Sequence, residues 1–228
     1  MQGRPLPRRS SSGLTIIELA FTISIVGLLL FLTLKGTVMI ESFRAVAVSY
    51  ELEQHQRLVV GYQTDFRALP GDDPQAASRW RREPALTTIA LGVPASLVGN
   101  DVLDGKLYDF SSPTGEQFTL WRDLRYAGMI DGNPALQGQS SLPENPFGGF
   151  YGFDEGNLGQ KSGSFCATKI PGRAAEIIDK KLDDGKINSG KLIGTAKFSI
   201  EENNHFPAPD TAPYDIEKEY IICVPLLP

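Results

Sequence analysis

The chain has 228 residues and a formal net charge of −5. Such an acidic chain gives no support for nucleic-acid binding, which normally shows as a basic patch. Its two cysteines and two histidines lack the spacing of a zinc site, so we expect neither a metal nor a cofactor.

The first predicted element is an apolar segment from Leu14 to Leu34, preceded by a leader that contains Arg4, Arg8 and Arg9 but no acid. As a helix rising ~1.5 Å per residue, the segment would span the ~30 Å hydrocarbon core of a bilayer. Glu18 is its only charged residue. A carboxylate costs about 2.5–3.5 kcal/mol at mid-membrane and less near the end of the span, so Glu18 needs a purpose or a partner.

The junction between the leader and the apolar segment reads Ser12-Gly13-Leu14-Thr15-Ile16-Ile17-Glu18-Leu19. It resembles the signal of type IV prepilins and pseudopilins. The resemblance implies that a prepilin peptidase cleaves after Gly13 and methylates the new N-terminus at Leu14. It also implies that Glu18 pairs with the α-amino group of a neighbouring pilin or pseudopilin subunit during assembly on an inner-membrane platform. A fixed cationic partner would offset the cost of the membrane carboxylate.

Three other interpretations of this segment remain open. A secretory signal peptide needs a shorter apolar core and a small-residue cleavage site, and Lys35–Val38 offers no convincing site. A twin-arginine signal, suggested by Arg8 and Arg9, meets the same objection. A plain single-pass anchor would make Glu18 incidental.

The basic leader also indicates the orientation. The positive-inside rule keeps it cytoplasmic and sends everything after Leu34 outward. We therefore expect a single-pass inner-membrane protein with a periplasmic C-terminal domain, found later in a filament in the periplasm or at the cell surface. Without the leader's three arginines the chain would carry 19 basic and 27 acidic residues, a net charge of −8. The one dense basic cluster, Arg79, Arg81 and Arg82, is interpreted as a solvated loop.

A second helical pattern runs from Gly36 to Phe66 without a proline. Its apolar residues recur at helical intervals and predict a stripe that packs on the rest of the chain. The stripe consists of Met39, Phe43, Val46, Tyr50, Leu58, Tyr62 and Phe66. Pro70 and Gly71 end the helix. The predicted organisation is a leader at 1–13, a helix at 14–66 with a transmembrane segment at 14–34, and a globular domain at 67–228.

The middle of the chain predicts one clear helix, which begins at Glu116. Its apolar face carries Leu120, Trp121, Leu124 and Ala127, with Thr114 as the cap and Gly128 as the stop. Trp121 is expected in the core. With Pro70-Gly71-Asp72, this run resembles a group of pilin-like proteins.

Two acidic turns are candidate calcium sites, because the family includes pseudopilins with bound calcium. The candidate oxygen ligands are Asn100, Asp101 and Asp104 in one turn, and Asp183 and Asp184 in the other. Neither turn has a full helix-loop-helix calcium pattern, so ordinary turns are the favoured interpretation.

The final third predicts strands around one helix. The strands are Gly163–Ile170, Lys191–Ala196, Phe198–Ile200 and Tyr220–Val224, and the helix is Pro171–Leu182. Cys166 and Cys223 are expected to form a disulfide in an exported domain, with two buried thiols as the alternative. The predicted fold class is α+β, a long helix packed on a small antiparallel sheet, which is the pilin architecture.

No enzyme motif is visible, and we expect no catalysis. His55 is predicted to be exposed or at an interface, and His205 lies in a polar loop. The leading functional hypothesis is a structural subunit of a type IV pilus-like or type II secretion-like filament. Lys35 stands where major pilins commonly carry proline, which favours a minor pilin or pseudopilin. The alternative is a stand-alone membrane-anchored binding protein.

Overall fold

The computed structural model describes residues 13–80, 99–156, 163–196 and 213–227. Contacts within the chain divide it into two compact units, Met1–Glu41 and Ser42–Pro228. The described part is α+β, with one long N-terminal helix and a small four-stranded antiparallel sheet, as the sequence predicts.

The first helix, α1, is Ile16–Phe66. It begins two residues later than predicted, because the Thr15 hydroxyl accepts the backbone N–H of Glu18 at 3.3 Å and caps the first turn. All residues from 13 to 33 are exposed, and α1 is long and apolar enough to cross a membrane. The helix ends where predicted, since Arg67 takes a left-handed conformation with a φ of 56°.

Within the second unit, α1 buries one narrow face. The buried residues of this face recur every three or four positions: Ala45, Val48, Ser49, Leu52, His55, Val59 and Tyr62. The predicted stripe is confirmed at its C-terminal end, where Tyr62 is buried and Leu58 and Phe66 pack against the core.

The N-terminal part of the predicted stripe is wrong. Met39, Phe43 and Tyr50 are 62%, 65% and 62% exposed. The buried face instead begins with the small side chain of Ala45, which lets the helix backbone lie close to the core. Because α1 carries apolar residues on more than one face, periodicity alone does not identify the face that packs.

The sheet has the strand order β1-β2-β4-β3, and all its pairings are antiparallel. Its strands are β1 (Tyr151–Asp154), β2 (Ser164–Pro171), β3 (Ile193–Thr195) and β4 (Glu219–Pro225). Three of them confirm predicted strands, although β3 is shorter than expected. The sequence analysis missed β1, and the predicted strand Phe198–Ile200 lies outside the described residues.

The two cysteines lie directly opposite each other in the sheet. Cys166 of β2 pairs in register with Cys223 of β4, and a disulfide joins them. Both side chains are buried. The predicted disulfide is therefore confirmed, and it connects the two central strands.

The described residues contain three further α-helices, α2 (Ala76–Trp80), α3 (Glu116–Tyr126) and α4 (Gly172–Leu182), and a short 3-10 helix, Gly138–Ser141. Trp121 of α3 is fully buried in the core, as predicted. The predicted cap of α3 is wrong, because Gly115 occupies the N-cap position and no side chain caps the helix. Thr114 is buried instead. Gly128 has a φ of 69° just after α3, which fits the predicted stop.

Candidate functional site

The predicted cleavage point lies in a short segment before the first helix. Gly13, Leu14 and Thr15 have no regular secondary structure, and all three residues are exposed. The peptide bond between Gly13 and Leu14 is thus separated from the helical part of the chain. An extended, accessible segment is the form in which a protease can bind a peptide bond.

Glu18 lies in the first turn of α1 and is exposed. Its backbone N–H is bonded to Thr15, but among the described residues its carboxylate forms no hydrogen bond or ion pair. The side chains around it on the helix are apolar, and Leu14, Ile17 and Leu19 are 72%, 79% and 52% exposed. Within the described ranges, the carboxylate of Glu18 is therefore exposed and unpaired.

A second exposed feature is the outer face of α1, which we define as Phe43, Val46 and Tyr50. Their spacing of three and four residues places them on one side of the helix. Val46 is 37% exposed, and the two aromatic side chains are more exposed still. The Lys181 amine of α4 lies 4.5 Å from the centroid of the Tyr50 ring. The outer face is therefore an apolar surface of the second unit that the described residues leave largely exposed.

The turn after α1 joins the Pro70-Gly71-Asp72 motif to α3. The Gly71 N–H donates to the Asp123 carboxylate of α3 at 2.9 Å, and the Thr119 hydroxyl donates to the Gly71 carbonyl at 3.3 Å. Asp123 is buried and also forms an ion pair with Arg122 at 3.0 Å. The Pro70-Gly71-Asp72 turn and the tryptophan-containing helix thus form one joint.

Two further aspartates of this turn are buried and fully engaged. Asp72 accepts the backbone N–H groups of Gly99, Asn100 and Asp101, and so fixes the loop that follows residue 98. Asp73 accepts the Tyr62 hydroxyl at 2.9 Å and the Gln75 N–H at 2.8 Å. We name the four buried carboxylates of this region the carboxylate hub: Asp72, Asp73, Glu116 and Asp123.

The cluster predicted around Arg79 is only partly described, because Arg81 and Arg82 lie outside the described residues. Arg79 itself is not a solvated cation. Its guanidinium lies 3.6 Å from the Asp73 carboxylate and 4.9 Å from the centroid of the Phe66 ring. It therefore stabilises the joint at the end of α1.

The first candidate calcium turn closes on itself through hydrogen bonds. The Asn100 side-chain oxygen accepts the Val102 N–H at 2.8 Å, and its nitrogen donates to the Asp104 carboxylate at 3.4 Å. The Asp104 N–H donates to Glu116 at 2.9 Å. Within the described ranges, Asn100, Asp101 and Asp104 are not among the residues whose ligand atoms converge on one point.

The second candidate turn does bring acidic groups together. Oxygens of Asp179, Asp183 and Asp184 lie within 4.8 Å of one another, and sequence reasoning missed Asp179 because it belongs to α4. Such oxygens are of the kind that Ca²⁺ binds. However, Asp179 accepts the Tyr214 hydroxyl at 2.6 Å, and Asp184 accepts the Ser189 hydroxyl at 2.6 Å. The Ser189 bond and a bond from the Gly185 N–H to Asp179 hold the loop after α4, and the Tyr214 bond attaches α4 to the segment before β4. These bonds account for the cluster without an ion.

His55 is buried, so the expectation of an exposed or interfacial side chain is wrong. Its ring lies 4.9 Å from the rings of both Trp121 and Tyr151. Among the described residues its Nδ1 has no hydrogen-bond partner. Burial lowers the pKa of His55 to about 4, so the imidazole is neutral near pH 7. His205 lies outside the described residues.

A small groove lies in the second unit between α1, the end of α4 and the sheet. Its volume is about 280 Å³. Leu182, Leu192 and Val224 line its apolar part, while Glu53, Arg57 and Lys191 are the charged residues of the lining. Ligand pockets commonly measure ~300–1,000 Å³, so this groove is at the small end of that range.

Comparisons with known proteins add no identification. No family model, no curated protein and no solved structure matches the chain significantly. The function of this chain is therefore argued from its own residues.

Proposed function

We propose that this chain is a structural subunit, a minor pilin or pseudopilin, of a type IV pilus-like or type II secretion-like filament. It is inserted in the inner membrane through the N-terminal part of α1, with the rest of the chain in the periplasm. A prepilin peptidase removes residues 1–13 and methylates Leu14. An inner-membrane assembly platform then extracts the subunit into a helical bundle, in the periplasm or at the cell surface, with other subunits.

The motif at the start of α1 supports this proposal. The Gly13–Leu14 bond lies in an exposed segment, and the carboxylate of Glu18 has no partner among the described residues. Cleavage creates an α-amino group at Leu14, and this cation can pair with Glu18 of a neighbouring subunit. In lipid, such a pair offsets the cost of both charges.

The observation that carries the proposal is the exposure of apolar side chains along α1. They begin in the apolar stretch and recur at Phe43, Val46 and Tyr50 in the second unit. Fully burying one such side chain contributes about 1.5–3 kcal/mol. Packing against helices of other subunits would therefore supply a large part of the assembly free energy.

Polar substitution of the outer face is expected to block assembly without unfolding the subunit. Phe43→Asp and Val46→Asp place a carboxylate where a neighbouring helix would pack. Because both side chains are exposed, the free energy of unfolding of each variant should differ from that of the wild type by no more than about 0.5 kcal/mol. Incorporation into filaments, measured by sedimentation of filaments sheared from cells, should fall more than about tenfold, the effect of 1.4 kcal/mol.

Gln63→Asp is the matched control, because it adds the same charge at an exposed polar position of α1 that lies on a different side of the helix from the outer face. It should assemble normally. Normal assembly of Phe43→Asp and Val46→Asp would contradict a role for the outer face.

The groove favours one alternative, a stand-alone membrane-anchored binding protein. Its apolar lining suits a small ligand with an apolar body, and its polar side offers Lys191 and the ion pair of Arg57 with Glu53. Such a protein needs no removal of residues 1–13 and no helix packing between subunits. The chemical state of the N-terminus therefore distinguishes the two functions.

A further inference from the structure

Glu116 is the unusual member of the carboxylate hub. It is the first residue of α3, and its side chain is only 2% exposed. One oxygen, Oε2, accepts the Asp104 N–H at 2.9 Å. The other, Oε1, is buried and has no hydrogen-bond partner among the described residues. A buried carboxylate with one unpaired oxygen is costly when it is charged.

The groups that face Glu116 increase that cost. Asp72 of the turn after α1, Asp104 of the loop and Asp123 of α3 all disfavour its negative charge. Two arginines of this region pair with other members of the hub: Arg122 with Asp123, and Arg79 with Asp73.

Two charged groups near the loop complete the surroundings. Lys106 lies beside Asp109. Glu155, which follows β1, accepts the Gly105 N–H at 3.0 Å. The charges that act most strongly on Glu116 are thus those of the three carboxylates Asp72, Asp104 and Asp123.

We propose that Glu116 is a protonation-dependent clamp that holds the loop of residues 99–105 on the start of α3. In its neutral form it accepts the Asp104 N–H without repelling the carboxylate that anchors the loop at Asp72. When it loses its proton, the new negative charge faces three carboxylates and the loop is released. This regulation goes beyond the proposed function and does not depend on it.

The sign of the pH dependence follows from the folded-state pKa. Burial, with the neighbouring carboxylates, raises the pKa of Glu116 from 4.5 to about 8. The folded state therefore binds this proton more tightly than the unfolded state. Its stabilising contribution is complete below about pH 4.5 and is lost as the pH rises to about 8. One proton changes the unfolding constant by at most about tenfold per pH unit.

The test compares full-length wild type and Glu116→Gln in detergent micelles between pH 5 and pH 9. Glutamine keeps the acceptor oxygen but cannot ionise. The unfolding constant of the wild type relative to the variant should rise with pH, by up to about tenfold per unit, and level off above pH 8. Hydrogen exchange at the backbone N–H groups of Asp101 and Asp104 should be corrected for intrinsic rates. It should then show that opening of the loop increases with pH in the wild type but not in Glu116→Gln.

Glu144→Gln is the control, because Glu144 is exposed and lies outside the hub. Its pH profile should match that of the wild type. Infrared spectroscopy of the wild type provides a second measurement, since a neutral carboxylic acid absorbs differently from a carboxylate. The carboxylic acid band of Glu116 is identified by its absence from the spectrum of Glu116→Gln. We expect this band to disappear as the pH rises through about 8.

Three results would overturn the clamp. One is a ratio of the unfolding constants of wild type and Glu116→Gln that is the same at every pH, which would indicate a structural contact only. Another is a wild-type infrared spectrum that shows no neutral carboxylic acid at pH 6. The third is recovery of wild-type stability at pH 8 on addition of Ca²⁺ alone, which would indicate a cation rather than a proton. None of them bears on filament assembly.

Discussion

Glu18→Ala is expected to be cleaved and methylated normally and yet to be lost from filaments. The substitution leaves the exposed Gly13–Leu14 bond unchanged, so the peptidase still finds its substrate. It removes the carboxylate that the Leu14 amine of a neighbouring subunit would meet in lipid. Leaving one member of a buried ion pair alone costs about 3–5 kcal/mol, so incorporation should fall by roughly two to four orders of magnitude. Mass spectrometry of the membrane pool and sedimentation of filaments measure the two effects separately.

Two control variants isolate the cause. Glu41→Ala removes the next carboxylate along α1, beyond the predicted membrane segment, and should assemble. Gly13→Ala should remain uncleaved and therefore fail to assemble for a different reason. Normal assembly of both Glu18→Ala and Gly13→Ala would contradict the proposed mechanism.

Gly71→Ala is expected to be the most destabilising single-methyl substitution in the joint after α1. Gly71 has a φ of 94°, which non-glycine residues rarely adopt. A Cβ there would lie 2.9 Å from the Glu116 carbonyl oxygen and 3.0 Å from the Leu120 nitrogen, and neither backbone atom can move without shifting α3. Backbone strain of ~1–2 kcal/mol and overpacking of ~1–3 kcal/mol give a total of about 2–5 kcal/mol. Urea unfolding followed by tryptophan fluorescence measures this loss.

Gly128→Ala separates strain from overpacking. Gly128 also has a positive φ, 69°, but a Cβ there would meet nothing within 4 Å. It should cost only the backbone strain of ~1–2 kcal/mol. If the two variants were equally stable, the close approach of the turn to α3 would not matter for folding.

The sequence predicts well those features that depend on neighbours along the chain. The apolar segment, the end of α1 near Phe66 and the helix with Trp121 all follow from local composition and turn residues. Cys166 and Cys223 were expected to pair because only two cysteines are present. Their placement opposite each other in register is a property of the sheet.

Features that depend on distant contacts could not be predicted. His55 is buried because rings from α3 and the sheet surround it, and nothing in its own neighbourhood signals this. Asp179 lies close to Asp183 and Asp184 only because the loop after α4 folds onto the helix, where the Gly185 N–H donates to Asp179. The sequence predicts that Glu116 lies in a helix, but it does not predict the surroundings of its carboxylate. One oxygen accepts the Asp104 N–H of a distant loop, and the other has no partner among the described residues.

The outer face of α1 shows the same limit most clearly. Large apolar side chains at helical spacing predicted that Phe43 and Tyr50 pack on the domain. The folded unit instead buries the far side of the helix, which begins with the smaller side chains of Ala45, Val48 and Ser49. A periodic pattern indicates that one face of a helix is apolar. The tertiary and quaternary structure then determine which residues pack against that face.

The mass of the N-terminal peptide tests the central claim most directly. The protein should be purified from membranes of cells that contain an active prepilin peptidase, and digested before mass spectrometry. We predict that the N-terminal peptide begins at Leu14 and carries one added methyl group. A peptide that still begins with Met1 and contains Gly13 joined to Leu14 would contradict the assignment of this chain as a filament subunit.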